Sequence, residues 1–271
     1  MHLHLAGPRL TVVPGYEELE AAALAAPVSG WDFSWLSERS STEPPPWSYR
    51  REVARYSGSA ATMLDMGTGG GEVLSRLRSR PARTVAIEAW PPNVPVAAAR
   101  LRPLGIPVVR DEGAADNNGR RDDARGRLPF RDGAFGLVVN RHEAFRAAEV
   151  RRVLAPGGAF VTQQVDFHND DDLCRLLGLE IPARPDSWLP LARRQVTDAG
   201  LTVVTAVAGE ERQHMNDVAA VIYYLRVVSW AIPGYSLRAY RERLRAAWGD
   251  PSRWPFTARA RRFLLVAERP S

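Results

Sequence analysis

The strongest chemical signal in this 271-residue sequence is Asp65-Met66-Gly67-Thr68-Gly69-Gly70-Gly71, at the end of a short apolar run. Glycines so spaced let the chain take positive φ and let a ligand lie against bare main chain. A dinucleotide signature of the G-x-G-x-x-G type needs glycine at position 72, where Glu72 stands. An acid in the first helical turn is also a poor neighbour for a pyrophosphate. The expected ligand therefore carries no phosphates. Twenty-three residues beyond Asp65, Glu88 ends a second apolar run. A carboxylate there can accept both hydroxyls of a ribose.

A second group follows later in the chain: Asn140-Arg141-His142-Glu143. His142 has the intrinsic pKa of a general base, or it packs beneath the next helix. Glu143 is an acid for the same site, or a cap for that helix. Gln163, Gln164 and His168 lie at or beyond the end of another apolar run, beside Asn169-Asp170-Asp171-Asp172. This acid run reads as a solvated loop. With one cysteine in the chain and no second histidine nearby, no metal site is expected. Tyr223 and Tyr224 are adjacent, so on a helix only one can face a pocket. They are core aromatics or a pocket wall. Trp31, Phe33 and Trp35 are a small satellite core or a lid.

The elements that must hold these residues alternate. Strands are expected at 61–65, 84–88, 106–109, 135–140, 159–165, 201–208 and 263–268. Helices are expected at 17–26, 49–56, 72–79, 93–104 (with Asn93 as its cap), 144–154, 189–199, 217–230 and 237–247. Pro44-Pro45-Pro46 forces an extended turn. Residues 111–127 are polar and read as a loop. Strands and helices alternating at this spacing imply an α/β fold with a doubly wound, mostly parallel seven-stranded sheet.

Four segments together resemble the class I S-adenosylmethionine-dependent methyltransferases. The glycine turn matches their D/E-x-G-x-G-x-G motif without a gap, and Glu88 matches their acid after the second strand. Residues 128–138 resemble their fourth-strand segment, and residues 149–158 the helix and turn before their fifth strand. The resemblance spans about residues 58–165. It implies a Rossmann-like methyltransferase domain over 58–271, behind an N-terminal helical lid segment at 1–57. A helical insert and substrate cap at 209–258 precedes the last strand.

By the same resemblance the cofactor is S-adenosyl-L-methionine and the product S-adenosyl-L-homocysteine. Asp65, Gly67, Thr68, Gly69 and Gly71 would hold the methionyl and ribose part, and Glu88 the ribose hydroxyls. Ala89 and Trp90 would lie near adenine, and Asn140 beside the methionine portion. Two departures stand out. Gly136 replaces an aspartate common in the fourth-strand motif, which is expected to loosen that strand end. Segment 111–127 is longer than usual, and Asp123 is its candidate adenine-side acid. Expected catalytic residues are His142, Asn140 and Glu143; expected substrate contacts are Gln163, Gln164, His168, Tyr223, Tyr224 and Trp35.

Composition narrows the classes further. All 36 basic residues are arginine, and none is lysine. Schiff-base chemistry, Walker-type phosphate loops and protein kinases are thereby excluded. The net charge of +5 reads as codon bias rather than a nucleic-acid surface. One cysteine, Cys174, excludes a disulfide framework, and no apolar run is long enough to span a membrane. The expectation is a cytoplasmic enzyme, monomer or homodimer, that methylates a small molecule. An RNA or protein methyltransferase using Arg238–Arg245 and Arg259–Arg262 is the alternative, and a non-catalytic cofactor-binding domain the third reading.

Overall fold

The computed structural model describes residues 14–28, 30–114, 127–232 and 234–271. Its centre is one eight-stranded sheet. In chain order the strands are β1 (Ser40–Glu43), β2 (Thr62–Met66), β3 (Arg83–Glu88), β4 (Val108–Arg110), β5 (Phe135–Arg141), β6 (Leu154–Val165), β7 (Thr202–Met215) and β8 (Phe256–Glu268). In space they run β1-β7-β8-β6-β5-β2-β3-β4. Strands β4, β3, β2, β5 and β6 are mutually parallel. Strand β8 enters antiparallel between β6 and β7. The order reverses between β2 and β5, and in an open α/β sheet that switch point is where ligands bind.

Helices cover both faces. On one, α5 (Ala147–Val153) and α7 (Leu189–Asp198) bury Val150, Val153, Ala192 and Val196 against Phe160, Phe263 and Leu265. On the other, α2 (Tyr49–Ser57) and α4 (Asn93–Leu101) bury Tyr49, Val53, Ala97 and Leu101 against Met63, Leu137, Val161 and Leu264. A third cluster joins α1 (Tyr16–Ala25), α6 (Asp171–Leu176), α8 (Val218–Val227) and α9 (Leu237–Trp248). Helix α8 is apolar almost all round and almost wholly buried, as such a sequence requires.

Four differences from the sequence reading have physical causes. The sheet has eight strands rather than seven. Ser40–Glu43 in the expected helical lid pairs antiparallel with β7, from Ser40 opposite Met215 to Glu43 opposite Arg212. Strands β7 and β8 continue past the sheet body as a two-stranded arm, Gly209 opposite Arg262 through Met215 opposite Phe256. The helical insert therefore begins after residue 215 rather than at 209. The glycine turn leads into a helix of only four residues, α3 (Glu72–Ser75). Pro92, not Asn93, caps α4, and Asn93 is buried. The expected loosening at Gly136 is present as a shift of the β5–β6 register between Phe135 and Leu137. The Gly136 N–H is bonded to Thr62 Oγ1 at 3.0 Å, and a Cβ there would press on Ala60 at 3.3 Å.

Candidate active site

The glycine turn sits at the carboxyl end of β2, at the switch point. Gly67, Gly69 and Gly71 take φ of 67°, 61° and 81°, a region that side-chain-bearing residues avoid. A Cβ on Gly67 would overlap the Glu143 side chain, and one on Gly69 would lie 3.1 Å from Trp31. The turn is held from behind by α4. Arg100 bonds to the Gly70 carbonyl and to Glu72, and Leu101 packs under Gly71.

Glu88, at the end of β3, is buried, and both its oxygens face the turn. One accepts from Gly69 N–H at 2.7 Å, the other from Trp90 N–H at 2.9 Å. Each oxygen keeps a free lone pair for a ribose hydroxyl. Asp65 is buried at the base of the turn, and burial pushes its carboxyl up to about 7. Glu143 crosses the cleft from the end of β5 between Gly67 and Gly113, with Ala89 on its far side. Burial and then the negative charge of Glu88 push it to about 7 as well. Helix α5 begins at Ala147 with Arg146 at its cap, so Glu143 is not a helix cap.

Polar atoms buried without partners mark the same cleft: Thr68 Oγ1, Tyr49 OH and Asn140 Nδ2. Unsatisfied buried polar atoms are uncommon in native structures and call for an explanation. Bare glycine main chain, a ribose-sized carboxylate and orphaned hydroxyls beside it fit a nucleoside with a charged amino-acid tail. Residues 64–162 match the family model described as a methyltransferase domain.

Residues 64–162 carry a methyltransferase domain.

Solved structures agree on the fold. A candidate methyltransferase from Bacillus halodurans C-125 is 18% identical with a TM-score of 0.53, over 82% of this chain and 97% of that one. The YcgJ protein of Bacillus subtilis is 15% identical with a TM-score of 0.52, over 82% and 98%. A structure concerned with conversion of a disulfide bond into a thioacetal group during echinomycin biosynthesis is 15% identical with a TM-score of 0.50, over 94% and 93%. No curated protein sequence matches the chain.

In this methyltransferase domain the residues after β5 divide between two levels. Asn140 is fully buried and faces inward, where its Oδ1 accepts from Thr162 Oγ1 at 3.0 Å and from Gln164 Nε2. Gln164 Nε2 also reaches the Glu143 carbonyl at 3.0 Å. Asn140 and Gln164 thereby brace the 142–143 turn from below, while Asn140 Nδ2 keeps no partner.

His142 is the accessible member. It adopts φ of 63°, a conformation rare outside glycine. Trp47 Nε1–H can only donate, and it bonds Gln163 Oε1 at 2.9 Å. That fixes the amide, so Gln163 Nε2 donates to His142 Nε2 at 3.2 Å. The remaining proton of a neutral imidazole must then sit on Nδ1. Enclosure by the cleft walls, with the charges of Arg141 and Arg262, pushes His142 well below the usual histidine range. The expected general base is thus a neutral ring whose basic nitrogen is already engaged, and it offers a donor.

Other expected contacts lie elsewhere. His168 turns back on its own loop, with Nδ1 2.8 Å from Asp171 and Nε2 3.2 Å from the Pro185 carbonyl. Tyr223 stacks on Trp35 at 4.9 Å, and its hydroxyl lies 3.0 Å from the carbonyls of both Pro27 and Asp32. Both rings are structural. Tyr224 instead packs on Phe33 at 6.1 Å, and Phe33 leads through Trp31 to Trp230. These aromatics roof the site, with Trp31 over the glycine turn. Trp90 is 56% exposed, and Asp123 lies outside the described residues.

Sequence reasoning missed Trp47, Tyr49, Arg100, Arg141 and Arg262. Trp47 follows the triple proline, which carries the chain over Gly209, where a Cβ would strike Pro46 and Trp47. Several arginines of the arginine-rich segments are neutralised by acids of the same chain. Arg241 pairs with Glu20, Arg245 with Glu17, Arg259 with Asp172 and Arg261 with Glu210. Among the described residues no histidine, cysteine and acid group could hold a metal, and no helix is long and apolar enough to cross a membrane.

Proposed function

We propose that the protein transfers a methyl group from S-adenosylmethionine to a small-molecule acceptor. The observation that carries this reading is the bare turn at Gly67 and Gly69, tied to Glu88 by the 2.7 Å bond and roofed by Trp31. The turn and Glu88 would hold the nucleoside, and Asp65, Thr68 and Glu143 the charged amino-acid tail. When bound, the cofactor supplies a sulfonium methyl open to in-line displacement.

The chain's own part is then to orient and enclose. Trp31, Phe33 and Tyr224 exclude water from the reacting atoms, where charges act more strongly. Gln163 and His142 line the approach at the ends of β6 and β5, and alignment alone can supply much of the rate. His142 has no free lone pair to act as a base, and the Glu143 carboxylate is engaged by the cofactor's tail in this reading, which suits an acceptor already nucleophilic at neutral pH. The self-paired arginine segments favour a small acceptor over RNA.

Calorimetric titration with S-adenosylhomocysteine tests the reading. Binding in the micromolar range, abolished by Gly69→Arg, is expected. No binding to the unaltered protein would end it.

A further inference from the structure

One guanidinium beside the cleft has no partner among the described residues. Arg141 is the last residue of β5, immediately before His142. By strand alternation it shares a face with Val139, toward α2 and Tyr49, and lies opposite Gln163 of β6. Among the described residues it makes no hydrogen bond and no ion pair. It is half-buried, and a charge so placed is costly unless something neutralises it.

The acids that reach it, Glu211 and Asp65, act on it only from beyond ion-pairing distance. Arg262, buried on the same face, bonds Asn169 and lies 3.9 Å from Glu211. Glu211, the acid shared by both arginines, is thereby drawn to Arg262. Asp170 accepts from the Asn169 amide at 2.8 Å, and burial raises it to about 6. Arg50, exposed on α2, adds further positive charge. Tyr49 OH and Arg262 Nε are buried on this side without partners. His142 adds its Nδ1–H. The surfaces left unengaged here are therefore donors.

The roof has a different character. Phe33 and Tyr224 are flat rings packed on each other, and Tyr224 shares the charged neighbours Arg262 and Glu211 with Arg141. The Arg262–Glu211 pair thus has a guanidinium on one side and aromatic rings on the other.

We propose that the methyl acceptor is a carboxylate carried on a flat apolar body, and that Arg141 seats the carboxylate with His142 Nδ1–H beside it. This rests on the methyltransferase reading above. A guanidinium presents two parallel N–H groups that match the two oxygens of a carboxylate. Trp47 and Gln163 act as positioning residues, because they keep the His142 proton on Nδ1.

The test uses the full chain, with benzoate as probe and benzyl alcohol and benzylamine as neutral and cationic controls of the same shape. Affinities are measured by calorimetry with S-adenosylhomocysteine saturating. The expected result is benzoate binding at least about tenfold tighter than either control, lost in Arg141→Gln and partly kept in Arg141→Lys. S-adenosylhomocysteine should still bind, and the thermal midpoint should hold or rise because a half-buried charge is removed. If Arg141→Gln does not fold, the preference for benzoate over benzyl alcohol in the unaltered protein decides. Should S-adenosylhomocysteine bind while benzoate shows no preference, or bind benzoate equally without Arg141, the acceptor proposal is overturned and methyl transfer stands. Were benzoate to bind through Arg141 with no S-adenosylhomocysteine binding, the anion site would stand and the methyl-transfer reading would fall.

Discussion

Cofactor affinity should depend on pH in a way that two particular carboxylates dictate. Asp65 and Glu143 both lie in the cleft with pKa values raised to about 7. Below that they hold protons and present neutral faces to the cationic tail of S-adenosylmethionine. Above it they present charge, and binding a cation drives the last protons off. If one carboxylate must ionise, the dissociation constant is about tenfold weaker at pH 6 than at pH 8; if both must, it is about a hundredfold weaker. The folded protein without ligand shows the opposite trend. These groups bind protons more tightly folded than unfolded, so their contribution to stability falls as pH rises from about 4 to about 7. The thermal shift produced by cofactor should therefore be larger at pH 8 than at pH 6. Burial and the charges of Arg141 and Arg262 hold His142 below the usual histidine range. The assay is calorimetry at both pH values, in buffers of different ionisation enthalpy, to count protons released. Glu143→Gln should remove one proton and flatten the dependence to what Asp65 leaves. Equal affinity at pH 6 and pH 8, with no proton release, would refute the reasoning.

Further outcomes follow from single contacts. Gly67→Ala places a Cβ against Glu143 at a positive φ. It should destabilise the fold by about 1–2 kcal/mol in urea titration and weaken cofactor binding. Tyr223→Phe removes a hydroxyl that ties α8 to the carbonyls of Pro27 and Asp32. It should cost about 1–3 kcal/mol in the same assay while leaving S-adenosylhomocysteine affinity intact. Trp47→Phe frees the Gln163 amide to turn over, so His142 gains access to both tautomers. The imidazole nitrogen shifts read by NMR should move from a single Nδ1–H form to a mixture, with acceptor KM raised and the thermal midpoint little changed.

Much of the cofactor half was legible because its signal is local. Gly67, Gly69 and Gly71 are adjacent in sequence, and Glu88 ends the next strand, so motif and site nearly coincide. The acceptor half was not legible, because strand pairing assembles it. Arg141, Gln163 and Arg262 come from three strands, and only the register of β5, β6 and β8 brings them onto one face. The short β1 escaped notice because four polar, exposed residues have no apolar alternation to report. His142 was expected as a base or a packing residue, but its tautomer is set through Gln163 by Trp47, ninety-five residues earlier, where no local motif reports it. The length of β7 was missed because residues 209–215 are mostly polar, as an arm covered on few sides allows.

The edge strand has a bearing on how the molecule comes into being. Every residue of the proposed nucleoside site is present once about 165 residues have been made, and its strand contacts span short stretches of chain. β1, with the Pro44–Trp47 turn behind it, must wait for β7, whose pairing residues begin at Arg212. Contacts across such separations form slowly, since the loop must close before they are rewarded. A chain emerging from synthesis would thus acquire its donor pocket first and its acceptor chamber last. The cofactor is then available as a folding ligand, able to stabilise the early half while Trp47 still lacks Gln163 to hold.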